Sequence, residues 1–272
     1  MTRTVFIISD RTAITAEGLS DSLLTQFDTL EFHCITLPFI DSPEKVQQAV
    51  SQINLQARKD PERPLVFSTL VDADAREALR SCDAVFIDFL STFIGSLEQE
   101  LGIKSTPAKD RVHSITSRNS YESRMHSVDY ALSNDDGGMT RDYDVADVIL
   151  IGVSRAGKTP TCVYLAIQFG IMAANYPLTP DDIDAVRLPA ALAPYKDKIF
   201  GLTINPERLV QLRQERLPNS QYASLKQCYS ECRSVESMFR RERIPYLDST
   251  SISIEEMAAT LLQEKGITRS GH

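Results

Sequence analysis

The chain has 272 residues, enough for one large or two modest domains with real hydrophobic cores, so no disulfide or metal staple is required. Its 29 basic and 37 acidic residues leave a net charge of -8, which argues against nonspecific nucleic-acid binding while allowing a local basic pocket. Cys34, Cys82, Cys162, Cys228 and Cys232 form no regular framework, and the Cys228/Cys232 pair has no second pair to complete a zinc site, so buried or free thiols are expected.

Taken in order, "TVFII" (4–8) reads as a strand running into "SDRTAITAEGLSDSLLTQF" (9–27), where Ile14, Leu19, Leu23 and Phe27 approximate a helical stripe. "FHCITLPF" (32–39) is the next predicted strand, with His33 expected in its packing, then "SPEKVQQAVSQINLQARK" (42–59) as a helix and "RPLVFSTL" (63–70) as a strand. "DADAREALRSC" and "DAVFIDFLSTFIGSLEQEL" continue the alternation. This rhythm predicts an α/β fold whose N-terminal domain, residues 1–110, is an open, mainly parallel sheet. Residues 111–145 are polar and read as a connecting region with a helix in its middle. A second α/β domain, 146–272, follows: strands in "VADVILIG", "IMAANYP", "KIFGLTI" and "PYLDST", helices in "NPERLVQLRQERL", "YASLKQCYSECRSVESMFRRERI" and "SIEEMAATLLQEKG". No run of about 18 uncharged apolar residues occurs and the N-terminus starts directly with a strand, so no membrane span is expected and the cytoplasm is the expected compartment.

The sharpest motif lies in "ILIGVSRAGKTPTCVYLA" (149–166). Gly152, Gly157, Lys158 and Thr159 match the phosphate-loop spacing G-x-x-x-x-G-K-[ST], after a strand and before a helix, as the motif requires. Backbone N–H groups of Gly152, Val153, Ser154, Arg155, Ala156 and Gly157 can converge on phosphate oxygens, Lys158 can reach a terminal phosphate, and the Thr159 hydroxyl can ligate Mg2+. Pro160 fits a first helical turn, where its missing N–H costs no bond. Arg155 is either a clamp on a transferring phosphoryl group or a solvent-facing side chain.

Such a loop works with a carboxylate that holds the metal's water. "KIFGLTI" ends without one; Asp181, Asp182, Asp184 and Asp248 are the candidates, each of which can instead be a helix or turn cap. Arg208, Arg213 and Arg216 can bind phosphate, or pair elsewhere. In the first domain Ser9, Asp10, Arg11, Thr12 and Thr15 cluster after the first strand, where they can cap a helix or meet a ligand. In "DYALSNDDGG" (129–138) Gly137 and Gly138 permit a tight turn, and Asp135 and Asp136 either face the phosphate loop or form an acidic surface turn. His113 and His126 lie in no ligand pattern. Spacing alone leaves a metabolite kinase, a protein kinase and a nucleotide-switched module open.

"FIISDRTAITAE", "ITLPF", "RPLVFSTL", "DYALSNDDG", "ILIGVSRAGKTPTCVYLAIQFGIMAANYPL", "KIFGLTINPERL" and "NSQYASLKQC" together resemble the regulatory kinase/pyrophosphorylase family that controls phosphoenolpyruvate synthase. The first loop, "SDRTAITAE", resembles this branch rather than the sister branch acting on pyruvate, phosphate dikinase. The resemblance implies a bifunctional enzyme that phosphorylates a threonine of its target, near the catalytic histidine, with ADP as donor. It implies that inorganic phosphate removes the group again as pyrophosphate. By this likeness Gly152 to Thr159 form the ADP-binding loop. For chemistry in both directions, Lys158 and the loop N–H groups are expected to stabilise the transferring group, with Arg155 the candidate clamp on it, and Asp181 or Asp182 to take the acceptor's proton, with Asp10 or Asp136 as alternatives. A homodimer is the expected assembly, two-fold homo-oligomers being the commonest.

Overall fold

Val5, Phe6, Ile7 and Ile8 form an unbroken apolar run, as a parallel strand buried on both faces requires, and they lie in β1 (Thr2–Ile8). β1 pairs with β2 (Glu31–Leu37) and β3 (Leu65–Ser68), and β4 (Val85–Asp88) pairs with β3, giving a parallel sheet in the order β2-β1-β3-β4. Phe6 and Ile8 face α2 (Pro43–Ala57) and α3 (Ala73–Arg80), while Val5 and Ile7 face α1 (Ile14–Leu24) and α4 (Phe89–Leu101). Asp88 caps α4 by accepting from the N–H groups of Leu90 and Ser91 and is paired with Arg76 at 3.2 Å. The computed structural model describes residues 2–106, 119–135 and 142–267, and this sheet belongs to the first of two units, Met1–Ser114 and Ile115–His272.

The predicted stripe on α1 points the wrong way. Ile14, Leu19, Leu23 and Phe27 are exposed, and the buried positions are Ala16, Ser20 and Leu24. Small residues at this spacing let the helix lie close to β1 and Phe67, and the Ser20 hydroxyl is satisfied by donating to the Ala16 carbonyl at 2.7 Å. His33, expected within the strand packing, stands exposed on the edge strand β2. All five cysteines are free thiols, Cys34 exposed and the other four buried.

The second unit repeats the same topology with no repeat visible in its sequence. β5 (Val148–Gly152), β6 (Ala173–Pro177), β7 (Ile199–Thr203) and β8 (Tyr246–Asp248) run parallel in the order β6-β5-β7-β8. Around them lie α5 (Asn119–Ser133), α6 (Lys158–Phe169), α7 (Pro180–Ala185), α8 (Pro206–Arg216), α9 (Leu225–Glu242) and α10 (Ile254–Lys265). α5, the helix in the middle of the polar region, is built into this unit: Tyr130 and Ala131 join its core and Ser127 donates to the Gly170 carbonyl at 2.8 Å. The segment read as one helix from Tyr222 breaks at Ser224, which caps α9 by accepting from the Gln227 N–H; a short 3-10 turn, Gln221–Ala223, precedes it. Among the described residues no helix is long and apolar enough to cross a membrane.

In each sheet the first strand is followed by a crossover to one side and then one to the other. The crevice at its carboxyl end is therefore the place where open α/β sheets take ligands. In the second unit that place is the glycine-rich loop after β5.

Candidate functional site

Gly152 ends β5, and a Cβ there would come within 2.2 Å of the Leu202 carbonyl oxygen on β7, so only glycine lets the chain leave the sheet at this point. Gly157 sits at φ 92, in the left-handed region, as the cap residue of α6. No side chain caps α6, so its first amides, with the positive end of the helix dipole, are offered to an anion. Pro160 lies in the first turn, where its missing N–H leaves no bond unmade.

Lys158 is 5% exposed, and its ammonium donates to the Val153 carbonyl at 2.9 Å, folding the side chain over its own loop. The Ser154 hydroxyl shares a 2.8 Å hydrogen bond with the Tyr222 hydroxyl. Arg155 is exposed and held at φ 78, a left-handed conformation that costs an ordinary residue about 1–2 kcal/mol. Strain at a loop of this kind points to function. Arg155→Gly is therefore expected to stabilise the protein by about 1 kcal/mol, and Arg155→Ala to bring no such gain. Urea melts check both; equal stability of Arg155→Gly and the native protein would mean that the loop stores no strain at this position.

The Thr159 hydroxyl donates to Asp135 Oδ1 at 2.8 Å, and Asn175 Nδ2 donates to the same oxygen at 2.5 Å and to Thr159 Oγ1 at 3.1 Å. Of the two readings of Asp135, the structure realises the one that faces the loop. Asn175, on β6 within "ANYP", was not singled out by sequence reasoning; its signal is a polar side chain in an otherwise buried strand, 1% exposed. Behind the loop, Cys162 on α6 is fully buried, and burial first, then the nearby Asp135, hold its thiol well above the usual range, so it is no nucleophile.

The other sequence candidates have mixed fates. β6 ends at Pro177 opposite Gly152, so Asp181 and Asp182 follow on the same sheet edge as the loop. Asp182 completes the capping box of α7, its carboxylate accepting from the Thr179 N–H at 3.0 Å and hydroxyl at 2.8 Å, while Asp181 and Asp184 are exposed. Asp248 accepts from the Thr250 N–H and hydroxyl in a local turn. Arg208 pairs with Gln211 and is exposed, as is Arg216.

Arg213 is not a free phosphate arginine. It is fully buried, with NH2 donating to Glu231 at 2.6 Å and to the Ser154 carbonyl at 3.3 Å, NH1 donating to the Tyr222 carbonyl at 2.9 Å, and its plane 4.1 Å from the Tyr222 ring centre. It braces the loop against α9. Burial is the largest single influence and works against its charge, but the hydrogen bond it donates to Glu231 and the charge of that carboxylate, with smaller help from Tyr222 and Cys228, together outweigh it and hold its pKa above the ordinary value.

In the first unit the cluster after β1 caps nothing: α1 starts from Ala13, itself at φ 65, with no side-chain cap bond. Ser9 instead accepts from the Arg11 N–H at 3.2 Å and the Thr69 hydroxyl at 3.1 Å. Asp10 and Arg11 border a cavity of about 510 Å³ with Phe39, Asp41, Asp72 and Asp74. Thr12 and Thr15 are exposed, as is His126. His113, Asp136, Gly137 and Gly138 lie outside the described residues.

The family described as kinase/pyrophosphorylase matches residues 5–262. A relative from Marinobacter nauticus is 52% identical over 99% of each chain, and one from Hahella chejuensis 54% identical over 99% of each. A third, from Pseudomonas putida, is 52% identical over 99% of each, and all three bear the name phosphoenolpyruvate synthase regulatory protein. This chain belongs to the kinase/pyrophosphorylase family.

Proposed function

We propose that this chain is a bifunctional phosphotransferase that switches phosphoenolpyruvate synthase off and on. In one direction the β-phosphoryl group of ADP passes to a threonine near the target's catalytic histidine and AMP leaves. In the other, inorganic phosphate attacks the phosphothreonine and pyrophosphate leaves. The observation that carries the reading is the loop Gly152 to Thr159, whose spacing, uncapped α6 and buried Lys158 suit a chain of phosphoryl oxygens. The relatives' shared name supplies the target.

One loop accounts for both directions. In the forward step the bond from the β-phosphorus to the bridging oxygen breaks, the bond to the threonine oxygen forms, and charge builds on AMP's α-phosphate. In reverse, inorganic phosphate takes the place of that α-phosphate and the threonine oxygen leaves with a proton. Lys158 and the loop amides stabilise the transferring group and its neighbour in either direction, and Arg155 reaches the same group from the loop's exposed side. The fit to Mg2+ is chemical: at Thr159 a hydroxyl meets the carboxylate of Asp135, oxygen donors of the kind a hard cation prefers. Bound there, the cation would neutralise phosphate charge. Asp181, exposed on the same sheet edge, is the proposed proton acceptor, with Asp182, its neighbour in the α7 cap, as the alternative.

The test uses ADP labelled in its β-phosphate and ATP labelled in its γ-phosphate, each with the histidine-phosphorylated synthase and, in parallel, with pyruvate, phosphate dikinase. Label on a synthase threonine from ADP alone is the expected result. Transfer only to a small acceptor would restore the metabolite-kinase reading, and transfer to the dikinase alone would move the chain to the sister branch.

A further inference from the structure

The carboxylate sought at a strand end after the loop is supplied from upstream of it. Asp135 follows α5 and precedes β5, yet its Oδ1 accepts from the Thr159 hydroxyl at 2.8 Å and from Asn175 Nδ2 at 2.5 Å. A hydroxyl has one proton and two lone pairs. Here the proton goes to Asp135 and Asn175 Nδ2 takes one lone pair at 3.1 Å, which orients the remaining lone pair.

Two further atoms point to a ligand. Asn175 and Asn134 are each 1% exposed, and the Oδ1 atom of each is buried without a hydrogen-bond partner. The pair is coupled through the backbone, the Asn175 N–H donating to the Asn134 carbonyl at 3.0 Å. Buried acceptors without donors are costly, and the group they await is a water or a cation.

We propose that Asp135 is the carboxylate of a divalent-cation site built on Thr159, and that Asn175 is a positioning residue that holds Asp135 and the Thr159 hydroxyl in register. This rests on the nucleotide-binding reading of the loop. The ligand class is a hard divalent cation accompanying a nucleoside diphosphate, and the site draws its anion from the segment before β5 instead of from β7 or β8.

The test separates metal from nucleotide. Mn2+ is titrated into the full-length protein with ADP and free Mn2+ is followed by electron paramagnetic resonance; ADP affinity without metal is measured in EDTA by calorimetry. Asp135→Asn is expected to weaken Mn2+ binding about 10-fold or more. Its metal-free ADP affinity should hold or rise, because a negative charge beside the diphosphate has gone. Asn175→Ala should weaken Mn2+ in the same direction and by less, again sparing metal-free ADP, whereas Asp135→Glu should recover part of the loss by restoring the carboxylate. Mn2+ affinity within twofold of native in Asp135→Asn would overturn the inference, and so would a parallel loss of metal-free ADP binding, which would mark the network as structural. If the native protein bound neither ADP nor Mn2+, the nucleotide reading itself would fall, an outcome distinct from native binding left intact in the variant.

Discussion

Lys158→Ala is expected to lower ADP-dependent phosphorylation and phosphate-dependent dephosphorylation together, each by about 10²-fold or more. Burial sets the size of the effect. Lys158 is 5% exposed, with its ammonium 2.9 Å from the Val153 carbonyl, so water screens it little and its attraction for a phosphoryl group is worth several times that of a surface lysine. A loss of about 2.7 kcal/mol of transition-state stabilisation gives the 10²-fold figure. On the proposed function both directions share the loop, so both should fall by similar factors. Melting temperature is the control, because the lysine also bonds its own loop. A variant that folds and retains one activity in full would show two separate sites.

Arg213→Ala is expected to cost about 3–5 kcal/mol of stability, the largest structural effect of any single substitution considered. Its side chain is 1% exposed and that of Glu231 12%, so truncation strands a carboxylate in a poorly solvated place. The Tyr222 and Ser154 carbonyls lose their donors as well, and the Tyr222 ring loses its cation. Because Ser154 belongs to the glycine-rich loop, weaker ADP binding should accompany the loss. The double variant Arg213→Met with Glu231→Gln removes both charges while keeping volume, and should recover most of the stability in urea unfolding without restoring ADP affinity. Equal stability of Arg213→Ala and native protein would remove the brace from the account.

Much of the fold is legible in local pattern, and the failures have particular causes. Continuous apolar runs such as 5–8 and 148–151 mark central parallel strands because both faces are covered, and their alternation with helices fixes the class. Helical periodicity misled at α1 because the sheet accepts a close-packed face of Ala16, Ser20 and Leu24 and leaves the larger side chains outside. The glycine-rich loop was readable because its constraints are local: a carbonyl 2.2 Å from any Cβ at Gly152, and a left-handed residue at Gly157. Asp135 was visible only as one of two options, since its partners lie 24 and 40 positions away and no spacing rule spans such distances. Arg213 misled for the complementary reason: an arginine near a phosphate loop looks like a ligand until Glu231, 18 positions on, is seen to hold it.

Under the proposed function one site passes a phosphoryl group from ADP to a protein threonine and from there to inorganic phosphate. The most direct measurement is a chase: synthase phosphorylated with β-labelled ADP by this protein is freed of nucleotide, given unlabelled phosphate, and the released label is separated by chromatography. The label is expected as pyrophosphate, and only when phosphate is added. Label recovered as inorganic phosphate, or released without added phosphate, would mean hydrolysis at the threonine and would contradict it.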